Sequence, residues 1–338
     1  MHNRSPVHHF RLLEMNANCS HITEGFPVQD QYVGANSMQP LQREILRTLL
    51  YYDIWEYPLH LRELPLFLKT ESPVSPDLIR TIASNDGFNG ILEHNDYYFV
   101  QGRDKTIVER RLERERHARW MWKMARLSMH VIKRFPFVRA VFVSGDLSKN
   151  STARGSDVDF FILTEPGRLW ITRTLLILFK KVFLLNSKKF FCLNYFKTTD
   201  QLSEEGYNIY SATEVAHLKP LYNMALYDMF MNSNMWIREF FPQYQQGVLP
   251  SVRTNNRRSV VQRLIEALFR LLPLDRIDTL LMENMQRVWE RRYPQYDGTV
   301  RDRIFRSTKQ ESRAYGGNFQ EKILSMYARK LEEFGVAS

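Results

Sequence analysis

The sequence predicts an α+β fold, with a β-sheet in the middle of the chain and helices before and after it. Three observations support this prediction. Residues 138–197 read as strand, polar loop, strand, helix and strand, residues 40–102 as three short helices and a hairpin, and residues 203–338 as mainly helical. The chain therefore divides into a flexible tail (1–39), an N-terminal unit (40–104), a connecting helix (105–134), a sheet core (135–202) and a helical C-terminal region (203–338).

The composition of the chain is that of a folded protein. Its 338 residues exceed the usual size of one domain, and 44% of them are hydrophobic, which is enough to build more than one core. The net charge of +10, from 47 basic and 37 acidic residues, favours a polyanionic partner such as nucleic acid or an anionic substrate such as a nucleotide. A basic solvated surface explains this charge equally well, so the charge alone does not decide.

Cysteine usage and hydropathy indicate a cytoplasmic protein without a membrane partner. The two cysteines, Cys19 and Cys192, form neither a disulfide framework nor a zinc cluster, and they suit a reducing cytoplasm. The N-terminus lacks the uninterrupted apolar core of a signal peptide. The most apolar stretch, residues 169–185, is interrupted by three basic residues, so a buried helix is a better interpretation than a bilayer span.

The N-terminal unit is predicted to contain helices at 41–52, 60–68 and from Ser75 onward, where a serine cap precedes Pro76 at the first helical position. Residues 90–93 and 97–100 read as a hairpin around His94-Asn95-Asp96. Three helices followed by a hairpin resemble a winged helix, a fold best known for reading DNA. The candidate recognition helix, 75–85, offers one arginine (Arg80) against Asp77, so a packing or protein-binding role competes with DNA binding.

Residues 105–134 predict one long helix, because this segment contains neither glycine nor proline and its apolar residues recur on one face. Its first half is rich in arginine, interleaved with glutamate. This pattern is typical of a solvated face with spaced salt bridges, and a phosphate-binding stripe is the alternative.

The segment 138–164 carries the strongest functional signal. A strand at 140–144 leads into a polar loop that starts at Gly145, and a second strand carries Asp157-Val158-Asp159. Because side chains alternate along a strand, the two aspartates are expected on the same face. Two carboxylates on an otherwise apolar strand are costly to bury unless a cation meets them, and a divalent metal is the favoured candidate. The alternative is a pair of aspartates that cap a turn beside Ser156.

A hydrophobic strand, a glycine, about a dozen polar residues and Asp-Val-Asp resemble the signature of the nucleotidyltransferase superfamily, the polymerase-beta-like nucleotidyltransferase domain. The resemblance covers residues 138–196 and extends to uncharacterised bacterial nucleotidyltransferase-domain proteins of similar length. It implies a mixed-sheet core in which a third strand, at 190–197, follows a helix at 168–183. It also implies transfer of a nucleoside monophosphate from a nucleoside triphosphate to an acceptor.

The resemblance implies specific roles for residues of this segment. Asp157 and Asp159 are the expected catalytic residues and ligands of one or two Mg²⁺ ions. Gly145 would let backbone N–H groups approach the phosphates. The further candidates for nucleotide binding are Ser144, Ser148, Lys149, Arg154 and Ser156.

Two positions depart from the family pattern. Asp146 stands where the family usually has serine or glycine, and Asn194 stands where active members generally have a third carboxylate. Asparagine can coordinate Mg²⁺ through its carbonyl oxygen, so Asn194 is a candidate third ligand, but it cannot act as a general base. A hydrogen-bonded strand residue is the alternative reading of Asn194.

The C-terminal region is predicted to contain helices at 216–232, 260–272, 275–293 and 319–334, with a polar loop at 306–318. Two functional hypotheses follow for the whole chain. The first is a Mg²⁺-dependent nucleotidyltransferase with an unidentified acceptor. The second is a catalytically impaired protein of the same fold that senses nucleotide or acts as a nucleic-acid-binding or protein-binding scaffold.

Overall fold

The structure is a computed structural model that describes residues 39–84, 90–187, 189–244, 258–313 and 319–336. Within these ranges the chain has a mixed α+β fold, as the sequence predicts. The predicted tail lies outside the described residues except for Gln39.

The N-terminal unit combines two α-helices with a small antiparallel sheet of strand order β1-β3-β2. Its elements are α1 (Pro40–Asp53), β1 (Leu59–His60), a 3₁₀ turn (Leu64–Phe67), α2 (Pro76–Ala83), β2 (Ile91–His94) and β3 (Tyr97–Val100). The hairpin prediction is confirmed, with Asn95 and Asp96 at φ 56° and 63°, as a two-residue turn between twisted strands requires. The predicted helix start is also confirmed, since Ser75 accepts a hydrogen bond from the Leu78 N–H at 3.2 Å.

The predicted helix at 60–68 is wrong. Leu59 and His60 pair with Tyr98 and Tyr97 of β3, which holds the chain extended at the start of this segment. Pro65 would lie in the interior of the predicted helix, where its missing N–H and its ring disrupt the backbone hydrogen bonding, and only a short 3₁₀ turn at Leu64–Phe67 forms.

The long connecting helix is confirmed as α3 (Thr106–Ile132). Arg111 and Arg114 in its first half bind the N-terminal unit, whereas Arg116 and Arg119 are exposed. Arg111 is buried, with Nη2 at 3.1 Å from Glu63 Oε1 and its guanidinium 3.7 Å from the centre of the Tyr57 ring. Arg114 donates to the carbonyl oxygens of Trp55 and Glu56, each at 3.3 Å. These contacts connect α3 to the residues that follow α1.

The predicted order of elements in the central segment is confirmed. It comprises β4 (Val138–Ser144), α4 (Gly145–Ser148), β5 (Asp159–Thr164), α5 (Leu169–Phe183) and β6 (Cys192–Thr198). Strand β4 is antiparallel to β5, and β5 is parallel to β6. Two details differ from the prediction. The segment after β4 begins with the helical turn α4 instead of a loop, and β5 starts at Asp159, so Asp157 precedes the strand.

The C-terminal region is mainly helical but also completes the central sheet. Its elements are α6 (Ile209–His217), β7 (Lys219–Tyr222), α7 (Met224–Ser233), a 3₁₀ turn (Met235–Glu239), α8 (Val260–Phe269), α9 (Leu274–Arg292), α10 (Gly298–Ile304), β8 (Glu311–Arg313) and α11 (Phe319–Glu333). The sheet order is β7-β4-β5-β6-β8, with β7 and β8 antiparallel to their neighbours. The predicted helix at 216–232 is therefore confirmed only from Met224 onward, in α7, and is wrong for 219–222, because β7 pairs with β4 and Pro220 would interrupt a helix there. The predicted polar loop at 306–318 likewise contains β8.

Each face of the central sheet carries a hydrophobic core. Phe142, Phe161 and Tyr195 belong to a cluster that also includes α1, α6, α7 and α11. Phe160 and Ile162 point the other way, into a cluster with α3 and α5. The N-terminal unit thus shares a core with the C-terminal helices. No helix in the described ranges is both long and apolar enough to cross a bilayer.

Candidate functional site

The candidate site lies where β4 ends and β5 begins. Ser144, the last residue of β4, is paired with Asp159, the first residue of β5. Gly145 follows with φ +66°, a conformation that residues with a side chain adopt only with strain. A Cβ atom on Gly145 would lie 2.7 Å from Asp159 Oδ2, closer than non-bonded carbon and oxygen atoms normally approach. Glycine therefore suits this position for two reasons: it adopts the positive φ without strain, and it leaves room for the Asp159 carboxylate.

Negative charge accumulates around this turn. Burial is the main cause that raises the pKa of Asp159 to about 7; the carboxylates of Asp146, Asp157 and Glu214 contribute to this rise, and a hydrogen bond from Cys192 opposes it. Burial also raises the pKa of Asp146, although part of this side chain is exposed to solvent. A carboxylate in an open cleft can be both partly desolvated and partly exposed, because protein surrounds it on most sides.

Asn194 lies beside Asp159, as the sequence predicts for the third strand. Its Nδ2 donates a hydrogen bond to Asp159 Oδ1 at 2.6 Å. The pairing of β5 and β6 shifts by one residue here, since Phe160 is opposite Leu193 and Phe161 is opposite Tyr195. Asn194 is thus the extra residue of a bulge, a feature that re-aims side chains near functional sites.

The other predicted nucleotide-binding residues lie on the segment between β4 and β5, and their contacts differ. Ser156 Oγ donates to Asp146 Oδ2 at 2.9 Å, and Lys149 Nζ lies 2.7 Å from Glu214 Oε1. Ser148 is buried, and its hydroxyl donates to the Gly145 carbonyl oxygen at 2.7 Å, so it stabilises the turn from inside. Arg154 points outward, with a side chain that is 91% exposed and 3.6 Å from Glu113.

The segment after α4 is held in place by residues that sequence reasoning did not select. Tyr57 donates to the Lys149 carbonyl oxygen at 2.8 Å, and Trp122 donates to Asn150 Oδ1 at 2.7 Å. His117 Nδ1 lies 3.1 Å from the hydroxyl of Thr152, which is fully buried. Aromatic residues and a histidine in distant segments carry no sequence signal for this role, because only the fold brings them to the loop.

A pocket of about 180 Å³ opens beside Ser144, on the face of the sheet that carries Phe161 and Tyr195. Its other walls come from α6, from the start of α11 and from the segment that follows β6. Four carboxylates line it, those of Glu204, Glu205, Glu214 and Glu321. Glu214 connects the pocket to the aspartates, since its charge raises the pKa of both Asp146 and Asp159. Nothing in the sequence around Glu214 distinguished it from other helical glutamates.

The donor set suits Mg²⁺ more than a metal held by protein alone. In the described ranges, no three histidine, cysteine, aspartate or glutamate side chains are arranged as a metal site of their own. Mg²⁺ in nucleotide-binding sites is typically held by one or two carboxylates, with water and phosphate oxygens as its other ligands. Asp157 and Asp159 provide oxygen donors of this kind, and burial and neighbouring carboxylates raise the pKa of Asp159.

Comparisons with known proteins found no match: no family model, no curated protein and no solved structure is similar to this chain. The chemistry of the site is therefore inferred from the residues of this chain and not from a relative.

Replacing Asp159 with asparagine is expected to stabilise the metal-free protein at neutral and alkaline pH. Because the pKa of Asp159 is raised from 3.8 to about 7, the wild type loses stability as the pH rises through this window, and the asparagine variant does not. In EDTA, we expect a gain on the order of 2 kcal/mol in the free energy of unfolding at pH 8, which shrinks toward pH 4.5. Urea denaturation of the wild type and the variant at several pH values measures this difference in the free energy of unfolding.

Asp200→Asn is the matched control, because Asp200 is an exposed carboxylate at the other end of the sheet, after β6. It is expected to leave the stability unchanged at each pH. If Asp159→Asn destabilises the protein at pH 8, the description of Asp159 as an uncompensated charge is wrong.

Proposed function

We propose that the protein is a Mg²⁺-dependent nucleotidyltransferase that transfers a nucleoside monophosphate from a nucleoside triphosphate to an acceptor. The observation that carries the proposal is the contact between Gly145 and Asp159. The turn at Gly145, whose backbone is left-handed, lies directly against the Asp159 carboxylate. A Cβ atom added to Gly145 would be only 2.7 Å from Asp159 Oδ2. Phosphate-binding turns and metal-binding carboxylates must be adjacent if one triphosphate is to contact both.

In this proposal Asp157 and Asp159 hold the metal, with Asn194 orienting Asp159 through their hydrogen bond at 2.6 Å. When bound, Mg²⁺ supplies positive charge that offsets the charge of the phosphates and polarises the α-phosphoryl group. The Gly145 turn offers backbone N–H groups to the phosphates without a side chain in the way. Lys149 is the cation nearest to this turn in sequence, and Glu214 and Tyr57 fix its position.

The transfer itself is a substitution at phosphorus. The acceptor hydroxyl oxygen forms a bond to the α-phosphorus, the bond from that phosphorus to the bridging oxygen breaks, and pyrophosphate leaves with the electron pair. The proton of the hydroxyl passes to solvent, since the neutral amide of Asn194 cannot accept it.

A specific observation favours a second candidate, a nucleotide sensor with little or no turnover. Asn194 occupies the position of the expected third carboxylate and directs its amide N–H to Asp159. A site with two carboxylates binds a metal–nucleotide complex but lacks a general base for the acceptor. In this case the protein binds triphosphate in the presence of Mg²⁺ and does not release pyrophosphate.

We propose that the N-terminal unit is winged-helix-like and that it serves packing rather than DNA reading. Helix α1 contributes Ile45, Leu49 and Leu50 to the core shared with the C-terminal helices. On the candidate recognition helix α2, Arg80 is bound to Asp77 at 3.2 Å and to Asp96 at 3.0 Å. A guanidinium held by two carboxylates is poorly suited to neutralise phosphate.

The proposed activity is tested by incubating the full chain with Mg²⁺ and each of four α-labelled nucleoside triphosphates, together with a pool of small-molecule, protein and RNA acceptors. We expect labelled product with the wild type and a loss of at least about a hundredfold with Asp157→Ala or Asp159→Ala. Asp200→Ala should retain activity. Label transfer that survives both substitutions would disprove the assignment of the two aspartates.

A further inference from the structure

Apart from Ser144 and from Glu214, which holds Lys149, the pocket beside Ser144 has no role in the binding of triphosphate described above. It opens on the face of β5 that carries Phe161, two residues after Asp159, so both side chains point to the same side of the sheet. We infer that this pocket binds the acceptor, and that the acceptor is a small molecule with one ring and a positively charged amine. The link to group transfer rests on the proposed function, whereas the ligand class rests on the pocket alone.

The size and walls of the pocket suit a single ring. Its volume is about 180 Å³, and a cavity of about 150 Å³ is known to hold benzene. Phe161 and Tyr195 stack on each other with 4.4 Å between ring centres, and Phe230 packs edge-on against Phe161 at 5.3 Å. These three side chains line the pocket together with Phe319. Rings prefer offset-stacked and edge-to-face contacts of this kind.

The charged groups of the pocket favour a cation. Four carboxylates line it against one guanidinium, that of Arg313, which also lies 3.6 Å from Glu311. Three of the four glutamates are paired with cations that do not themselves line the pocket: Glu214 with Lys149 at 2.7 Å, Glu205 with Arg306 at 2.5 Å, and Glu204 with Lys197 at 2.9 Å. Glu204 also accepts from the Tyr195 hydroxyl at 2.7 Å, so it is largely satisfied. An ionised carboxylate accepts up to about four hydrogen bonds, so the single lysine at Glu214 leaves room there for an ammonium group.

The same charges separate the two substrates. A triphosphate placed among four glutamates would meet like charge in a partly enclosed space, which is unfavourable. The Gly145 turn also lies among carboxylates, but there the Mg²⁺ proposed at Asp157 and Asp159 would offset the charge of the phosphates. Ser144 borders both regions, so a ligand in the pocket lies next to the phosphates without occupying their site.

Two probes of equal size and opposite charge test the inference: tyramine and 3-(4-hydroxyphenyl)propionate. Both carry a phenol ring with a hydroxyl, and they differ in an ammonium group against a carboxylate. Each is titrated into the full chain by calorimetry in EDTA without nucleotide, so that neither metal nor turnover contributes. We expect tyramine to bind at least about tenfold more tightly than the propionate, because one charge-assisted hydrogen bond contributes about that much to affinity.

Substitutions in the pocket provide a second readout. Glu214→Gln and Glu321→Gln, which keep the size of the side chain, are each expected to weaken tyramine binding by about fivefold or more. Glu283→Gln on α9 is the matched control, because Glu283 is paired with Arg287 on the surface and does not line the pocket. The wild-type comparison needs no variant, so a variant that fails to fold does not remove the test.

The outcomes separate this inference from the proposed function. Equal or tighter binding of the propionate, or no binding of either probe, overturns the inference even if nucleotidyl transfer is found with other acceptors. Preferential binding of tyramine supports the inference even if no nucleotide is transferred, in which case the proposed function fails and the amine site remains.

Discussion

Replacing Gly145 with alanine is expected to abolish Mg²⁺-dependent binding of nucleoside triphosphate and to destabilise the protein by about 2–3 kcal/mol. Two costs combine at this position. The backbone has φ +66°, which strains any residue with a Cβ, and the new methyl group would lie 2.7 Å from Asp159 Oδ2. Asp159 must then move away from the turn, and its carboxylate no longer faces the phosphates and the metal together. Calorimetric titration of a non-hydrolysable triphosphate and urea denaturation measure the two effects.

Gly167→Ala is the matched control for this substitution. Gly167, in the turn between β5 and α5, has a similar φ of +67°, but a Cβ there would meet only Asp275 Oδ1 at 3.6 Å. The control carries the same backbone strain without a clash at the site, so it should lose less stability and keep triphosphate binding. Equal losses of stability and binding in the two variants would show that the contact between Gly145 and Asp159 is unimportant.

Replacing Asp53 with alanine is expected to cost about 3 kcal/mol or more of folding free energy. Asp53 ends α1 and is 4% exposed. It accepts hydrogen bonds from Arg103 Nε at 2.8 Å and from Lys330 Nζ of α11 at 2.7 Å. Removing this carboxylate breaks the ion pair with Lys330, whose side chain is 11% exposed, and leaves Arg103 with Glu56 at 3.4 Å; breaking an ion pair that is mostly buried is strongly unfavourable. Because these contacts join α1 to α11, the loss should appear in the global unfolding transition.

Asp77→Ala provides the comparison for Asp53, since the Asp77 side chain is 89% exposed and its pair with Arg80 is on the surface. Surface ion pairs contribute about 0–1 kcal/mol, so this variant should resemble the wild type. Urea denaturation followed by circular dichroism compares the two. A loss below about 1 kcal/mol for Asp53→Ala would contradict the role of this carboxylate in joining the first and last described helices.

The sequence predicted those elements whose signal is local and strong. The long helix α3 lacks helix-breaking residues, and the hairpin turn at Asn95-Asp96 uses residues that tolerate positive φ. Strands β7 and β8 were missed because they have four and three residues, too few for alternation to be seen. Their existence depends on pairing with β4 and β6, partners that lie far away in the chain. The order of strands in the sheet follows from such pairings and has no local signature.

The candidate site was predictable to the extent that its residues lie on one segment. Asp157, Asp159 and Gly145 were selected from the pattern around them, and the pairing of Ser144 with Asp159 brings the glycine turn to the carboxylates. Glu214 was not selected, because it is one of many helical glutamates and reaches Lys149 only through the fold. The roles of the selected residues in metal and nucleotide binding stay predictions.

Titration of a non-hydrolysable nucleoside triphosphate into the full chain, in Mg²⁺ and again in EDTA, tests the central claim most directly when the wild type is compared with the Asp157→Asn, Asp159→Asn double variant. Asparagine keeps the shape of both side chains and removes their charge. We expect the wild type to bind in Mg²⁺, with affinity at least about a hundredfold lower in EDTA or in the double variant. Binding that is equally tight with and without Mg²⁺ and unaffected by the two substitutions would contradict a metal-dependent nucleotide site at Asp157 and Asp159.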